Sequence, residues 1–126
     1  MNKKLNRELM GYAEEILQEK NCPLYKKEGV INESHNGQIS ALGVSVLMIG
    51  LKATLAVYYQ DESRKCLLEV IVKMMKKKNG TSFADLEAFV RVVMGNKDKK
   101  QETMWKSDVV NCSVALKQVI RTYKLG

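Results

Sequence analysis

Proline and aromatic residues are scarce in this chain, and their scarcity excludes several fold classes. Proline occurs once, at Pro23, and only 6% of the residues are aromatic. A β-sandwich needs many more turn residues, and a βαβ protein would show repeated Val and Ile runs closed by glycine. Lys, Leu, Met, Glu and Ala are abundant instead, and they favour helix. We therefore predict an all-α fold, a compact bundle of about five helices around a central hydrophobic helix.

The size of the chain is that of one ordinary domain. Its 126 residues are enough to bury a single hydrophobic core. We expect one helical domain over residues 1–126.

Metal-binding patterns are also missing. The three cysteines lie more than 40 residues apart, and the single histidine, His35, falls in a predicted loop without a second ligand near it. Zinc sites need closely spaced Cys or His pairs. We expect no metal, no cofactor and reduced thiols. The N-terminus has no apolar segment behind its basic residues, so we expect a cytoplasmic protein.

Motifs of the common enzyme classes are absent from the sequence. It has no GxSxG, no P-loop, no GxGxxG and no HExxH. The paired carboxylates Glu14-Glu15 and Asp61-Glu62 are explained by a solvated helix face and by a helix start, where negative charge is favourable. These observations predict a binding protein rather than an enzyme, with no small-molecule substrate.

Positive charge is in excess, and it is unevenly distributed. The formal net charge is +7, with a surplus of 0 in residues 1–35, +3 in residues 36–95 and +4 in residues 96–126. A basic face of this kind is typical of proteins that meet a polyanion, because Lys and Arg displace counterions from phosphates. A solvated basic surface that only maintains solubility is the alternative.

The most apolar stretch runs from Ala41 to Gln60. It predicts a helix from about Gly37 to Tyr59, apolar on nearly every side and therefore central in the bundle. Lys52 argues against a membrane span. A glycine inside a helix costs about 0.8–1 kcal/mol, so Gly43 and Gly50 predict close approach of a neighbouring helix, and we assign both to subunit packing.

Apolar periodicity predicts four further helices. They run from Leu5 to Glu19, from an N-cap at Asp61 to Gly80, from a capping box of Ser82 and Asp85 to Gly95, and from about Thr103 to Lys124.

A line of cations is predicted along the last helix. Lys117, Arg121 and Lys124 are spaced four and three residues apart, and no Asp or Glu occurs between Val109 and Gly126. Side chains at this spacing share one face of a helix. The line is the best candidate in the sequence for contact with phosphates.

Two segments resemble a known family. They are "NGQISALGVSVLMIGLKATLAVYYQDESRKCLLEVI", residues 36–71, and "VALKQVIRTYK", residues 114–124. Their order is similar to that of the small all-helical subunit of the Cmr complex, the type III-B CRISPR effector that cuts RNA. The matching positions are Ile39, Ser40 and Gly43, then Gly50, Leu51, Leu55 and Ala56, then Arg64, Leu67 and Leu68, and finally Ala115, Leu116, Lys117, Ile120, Arg121 and Thr122.

The resemblance implies a noncatalytic subunit that is present in several copies and stacks head to tail beside the guide RNA. Its partners would be other Cmr subunits, further copies of itself, the guide RNA and the target RNA, with no membrane involved. By position, the resemblance assigns contacts with RNA phosphates to Lys52, Arg64, Lys117 and Arg121. The cationic line adds Lys124.

Two other functions remain open from the sequence. The stretch "KKKNGTSFADLEAFVR" could form the turn and second helix of a helix-turn-helix DNA regulator, although Asp85 and Glu87 would repel phosphates at the start of that helix. A helical adaptor that binds only proteins would explain the small residues and treat the positive charge as a solvated surface.

Overall fold

Six α-helices account for most of the residues that the computed structural model describes, which are 1–80 and 83–126. The predicted all-α bundle is confirmed, with one helix more than the five expected. The helices are α1 (Lys3–Leu17), α2 (Ser34–Ile49), α3 (Leu51–Gln60), α4 (Glu62–Asn79), α5 (Leu86–Gly95) and α6 (Lys99–Ile120).

Four helices begin after a residue whose side chain accepts hydrogen bonds from backbone N–H groups. Asn2 begins α1, Asp61 begins α4, Asp85 begins α5 and Asp98 begins α6. Such caps satisfy donors that have no partner within the helix. The prediction that α4 begins after Asp61 is confirmed. The Ser82 half of the predicted capping box lies outside the described residues.

The prediction of one continuous helix from Gly37 to Tyr59 is wrong, because Gly50 separates α2 from α3. Gly50 has φ +90° and ψ 167°, a conformation that side-chain-bearing residues rarely adopt. Its N–H donates to the Val46 carbonyl and closes α2, while its own carbonyl accepts from the Thr54 N–H. Glycine at this position therefore permits a turn between two helices.

The helix α2 is buried on one side only, contrary to the expectation of an all-round apolar contact. His35, Ile39, Leu42 and Val46 face the core. The other side presents exposed apolar side chains, namely Val44, Leu47, Met48 and Ile49. No helix in residues 1–80 and 83–126 is long and apolar enough to cross a bilayer.

The helix α4 forms the middle of the packing. It contacts α1, α2, α3, α5 and α6. The side chains predicted to face inward from it are all buried, namely Leu67, Leu68, Ile71, Met74 and Met75. Each such burial stabilises the fold by about 1.5–3 kcal/mol before entropy is subtracted. Lys76, Lys77 and Lys78 occupy its last turn, as expected, and Gly80 ends it in the left-handed conformation.

A small three-stranded sheet lies beside the helices and was not predicted. It consists of β1 (Tyr25–Lys27), β2 (Val30–Ile31) and β3 (Lys124–Leu125), in the order β1-β2-β3. The strand β1 pairs with β2 in antiparallel orientation, and β2 pairs with β3 in parallel orientation.

The predicted last helix is wrong at both ends, and the sheet accounts for the second of them. The helix α6 begins at Lys99, within the segment expected to be a charged loop, and ends at Ile120 rather than Lys124. Beyond it the chain joins β2, since the Gly126 N–H donates to the Ile31 carbonyl at 3.0 Å.

The helix α5 packs through a cluster of aromatic rings. Phe83 and Phe89 lie edge to face with ring centroids 5.1 Å apart, and Trp105 of α6 is 6.1 Å from Phe89. Such pairs add about 0.5–1.5 kcal/mol beyond their buried area. The predicted apolar stripe of α5, which consists of Leu86, Phe89, Val90 and Val93, is buried throughout.

Candidate nucleic-acid interface

The three cations of the predicted line lie at the end of α6 and in the segment that follows it. Lys117 is half-buried in the last turn of α6, Arg121 is the exposed C-cap residue, and Lys124 is an exposed residue of β3. The prediction of one helical line is therefore wrong for Lys124, because α6 has ended before it. Lys117 and Arg121 keep the expected spacing of four residues.

Arg121 lies against the first turn of α2. Its Nε donates to the Asn36 Oδ1 at 3.5 Å, the upper limit for a hydrogen bond. Such a contact leaves most of the guanidinium donors available, since Arg carries five N–H groups.

The segment after α6 is fixed by Tyr123. Its hydroxyl donates to the Glu14 Oε1 at 2.7 Å and accepts from the Gln18 Nε2 at 3.0 Å. Burial, followed by the bond to Glu14, raises the pKa of Tyr123, so the hydroxyl stays protonated. These bonds to α1 hold the backbone between Arg121 and Lys124 in place.

Ion pairing separates the basic residues of this protein into two groups. Five cations of the described residues pair with carboxylates, namely Lys52, Arg64, Lys73, Lys77 and Lys78. Within residues 1–80 and 83–126, no ion pair involves Lys117, Arg121 or Lys124. Sixteen of the 21 Lys and Arg side chains take part in no ion pair among the described residues, and these three are the ones at the end of α6 and in the segment after it.

Lys52 joins two parts of the bundle. Its Nζ donates to the Asn96 carbonyl at 2.8 Å and lies 4.0 Å from the Glu102 carboxylate. It thereby ties α3 to the connection between α5 and α6. This contact gives Lys52 a role within the fold.

Arg64 is held at the start of α4. Its guanidinium pairs with Asp61 and lies over the Tyr58 ring, 5.8 Å from the ring centroid. The backbone N–H of Arg64, followed by that of Ser63, lowers the pKa of Asp61. The carboxylate consequently remains charged and continues to hold Arg64.

The two glycines assigned to subunit packing differ in what they do inside the chain. A Cβ at Gly43 would lie 3.1 Å from the Ser113 Oγ, so Gly43 lets α2 approach α6 closely. A Cβ at Gly50 would meet no heavy atom within 4 Å among the described residues, so Gly50 serves the backbone turn. A role of either glycine between subunits stays a prediction.

Two reactive side chains, His35 and Cys112, are shielded from solvent in this structure. His35 lies in the first turn of α2 and is buried, which corrects the expected loop position. Burial raises the pKa of Cys112 to about 12, which keeps it a neutral thiol. Within the described ranges, no three His, Cys, Asp or Glu side chains gather where they could hold a metal ion.

Sequence reasoning missed the residues that position the cations. Asn36 is separated from Arg121 by 85 positions, and Glu14 is separated from Tyr123 by 109 positions. No local pattern indicates such contacts. Only the tertiary fold brings these residues together.

Known proteins add no further information about this site. Comparison of the chain with protein families, with curated proteins and with solved structures finds no match.

Proposed function

We propose that this protein is a noncatalytic small subunit of a type III-B CRISPR (Cmr) ribonucleoprotein. In this role it stacks with further copies of itself and with other Cmr subunits, and it contacts guide and target RNA through phosphates. The ordered resemblance in residues 36–71 and 114–124 supports the family assignment. The helical bundle is compatible with it.

The observation that carries the RNA contact is the placement of unpaired cations at the end of α6 and in the segment after it. Lys117, Arg121 and Lys124 join no ion pair in the described part of the chain. An unpaired cation releases counterions from RNA without first breaking a bond within the protein. Lys52 and Arg64, assigned to RNA by the resemblance, would have to leave their present partners.

This arrangement favours binding that does not depend on base identity. Lys and Arg recognise the charge of the backbone, while single-strand readers stack bases on exposed aromatic rings. Tyr123, the aromatic residue within this group, is half-buried and bonded to Glu14. We therefore assign the surface a positioning role on RNA, with cleavage carried out by other subunits.

A salt titration with two triple variants tests the RNA contact. One variant replaces Lys117, Arg121 and Lys124 by Ala, and the other replaces Lys73, Lys77 and Lys78 by Ala. Both lose three positive charges, but the second set is paired with Glu19, Glu15 and Asp108. Binding of fluorescein-labelled RNA, single-stranded or in a guide–target duplex, is followed by anisotropy at increasing KCl concentration.

We expect the first variant to bind more weakly and to lower the slope of log K against log salt by about 2, since each phosphate contact contributes about 0.7. The control variant should keep most of the slope. Binding that is indifferent to salt, or an equal loss in both variants, would contradict the RNA contact. Preference for one specific DNA duplex would favour the helix-turn-helix function instead.

A further inference from the structure

A groove runs between α2 and α6 toward the start of α1. Three adjoining cavities of about 250, 240 and 400 Å³ form it, and Val110 lines all three. On α6 the lining extends from Thr103 to Gln118, which corresponds to about 22 Å of helix. The groove is therefore long enough for about four turns of a second helix.

The floor of the groove consists of exposed apolar side chains. Val44 is 55% exposed, Leu47 is 62% exposed and Val114 is 41% exposed. Close approach of Gly43 to Ser113 holds α2 and α6 together beneath them. These three side chains give the groove an apolar floor on which another apolar surface can be buried.

The charges around the apolar floor have one sign. Lys3, Lys106 and Lys117 line the groove, and none of its lining residues in the described ranges is Asp or Glu. Two further cavities are different, since carboxylates such as Glu19 and Glu69 line them together with lysines. The cationic border thus distinguishes the α2–α6 groove from these two cavities.

The apolar floor and the cationic border together determine which kind of molecule fits the groove. No aromatic side chain of the described residues lines the groove, so bases of RNA would find no stacking surface. A twofold contact of this groove with the same groove of a second copy would place lysines against lysines, which is unfavourable. A helix with an apolar stripe bordered by carboxylates matches both the floor and the border.

We propose that the α2–α6 groove binds an amphipathic helix of a partner protein, about four turns long, whose apolar stripe is bordered by Asp or Glu. The helix lies along α6, with its apolar side chains on Val44, Leu47 and Val114. Its carboxylates pair with Lys3 and Lys106, so Lys117 stays available to RNA. RNA binding is not required for this interaction.

Two synthetic peptides of about 16 residues test the proposal. They share one stripe of Leu and Ala at helical spacing, and they differ in having either Glu or Lys on both borders of the stripe. Anisotropy of each fluorescein-labelled peptide is measured with the full chain, and chemical shifts of the ¹⁵N-labelled protein locate the binding site. We expect the Glu-bordered peptide to bind at least about tenfold more tightly and to shift α2 and α6 resonances.

The chain offers a matched pair of variants for this test. Val44 and Val57 are both 55% exposed, but only Val44 lines the groove. We expect Val44→Glu to lower the affinity for the Glu-bordered peptide at least about tenfold. Val57→Glu should change this affinity by less than about twofold. Because both side chains are exposed, both variants should fold, which circular dichroism checks.

Several results would overturn the proposal. They are equal affinity of the two peptides, equal effects of the two variants, shifts confined to other helices, and no binding at about 1 mM peptide. Single-stranded RNA that displaces the peptide and shifts the Val44 and Leu47 resonances would make RNA the occupant. Self-association that Val44→Glu abolishes would make a second copy the occupant.

Discussion

At the scale of single residues, the buried imidazole of His35 has the clearest consequence. Its side chain is 3% exposed, and its Nδ1 lies 3.0 Å from the Gln38 Oε1. Burial lowers the pKa of His35 because the charged form loses its hydration, and the bond to Gln38 opposes this only in part. The folded protein therefore keeps His35 neutral in a range where the unfolded chain binds a proton.

The pH dependence of stability should reveal this residue. In the unfolded chain the pKa of His35 is near its ordinary value of about 6.5, and in the folded protein it is lower. The contribution to stability is complete above the unfolded pKa and is lost as pH falls below it. We expect the free energy of unfolding to decrease by up to about 1.4 kcal/mol per pH unit from this group.

Urea unfolding between about pH 7.5 and about pH 5 measures the effect against a His35→Gln variant. The variant keeps a polar side chain that does not titrate, so the difference between the two proteins isolates His35. Stability curves that stay parallel over this range would show that burial does not depress the proton affinity of the imidazole.

At the scale of elements, the break at Gly50 separates two helices that the sequence predicts as one. Its φ of +90° is costly for a residue with a Cβ. Gly11 provides the contrast, since it lies inside α1 without a positive φ and with open space where a Cβ would project. The same substitution should therefore have opposite effects at the two positions.

We expect Gly50→Ala to lower the free energy of unfolding by about 1–3 kcal/mol, because a φ of +90° with a ψ of 167° is a backbone conformation adopted almost only by glycine. Gly11→Ala should raise it by about 0.4–1 kcal/mol, because alanine restricts the unfolded chain and favours helix. Urea titration followed by circular dichroism measures both. A gain of stability at Gly50 comparable to that at Gly11 would mean that α2 and α3 can form one continuous helix.

Local signals were sufficient to predict some elements and insufficient for others. The helices α1, α4 and α5 follow from their apolar spacing, and Asp61 and Gly80 give the limits of α4 through capping alone. Strands of two or three residues carry no readable period, so β1, β2 and β3 had no signal. The end of α6 at Ile120 depends on pairing with β2, which only the tertiary fold supplies.

The candidate site was predictable to a similar extent. Spacing identified Lys117 and Arg121 as neighbours, since four residues along a helix are close whatever the fold. Whether a cation is paired depends on distant carboxylates, and the Lys52 contact with Glu102 spans 50 positions. The apolar groove was missed for the same reason, because an exposed Val44 and a buried Val46 look alike in sequence.

At the scale of the whole molecule, repulsion between like charges should outweigh the surface ion pairs. The net charge is +7, and four of the five ion pairs in the described residues join side chains that are more than one third exposed. Exposed pairs of this kind contribute about 0–1 kcal/mol each. Salt screens both the ion pairs and the repulsion between like charges. The repulsion extends over a larger part of the protein surface than the ion pairs do.

We therefore expect the thermal midpoint to rise when KCl increases from about 0.05 M to about 0.3 M. A Lys26→Glu and Lys27→Glu double variant is the control, because it changes two exposed positions of β1 and lowers the net charge by four. The rise should be smaller in this variant. A midpoint that falls with salt in both proteins would show that the ion pairs dominate.

The aromatic cluster between α5 and α6 gives the bundle its own intrinsic fluorophore. The chain has one tryptophan, Trp105, and its indole lies against Phe83 and Phe89. Tryptophan emission shifts to longer wavelength when the ring becomes hydrated, so the spectrum reports directly on whether α5 is docked. Undocking of this short helix can thus be followed separately from loss of the long helices, without an attached dye.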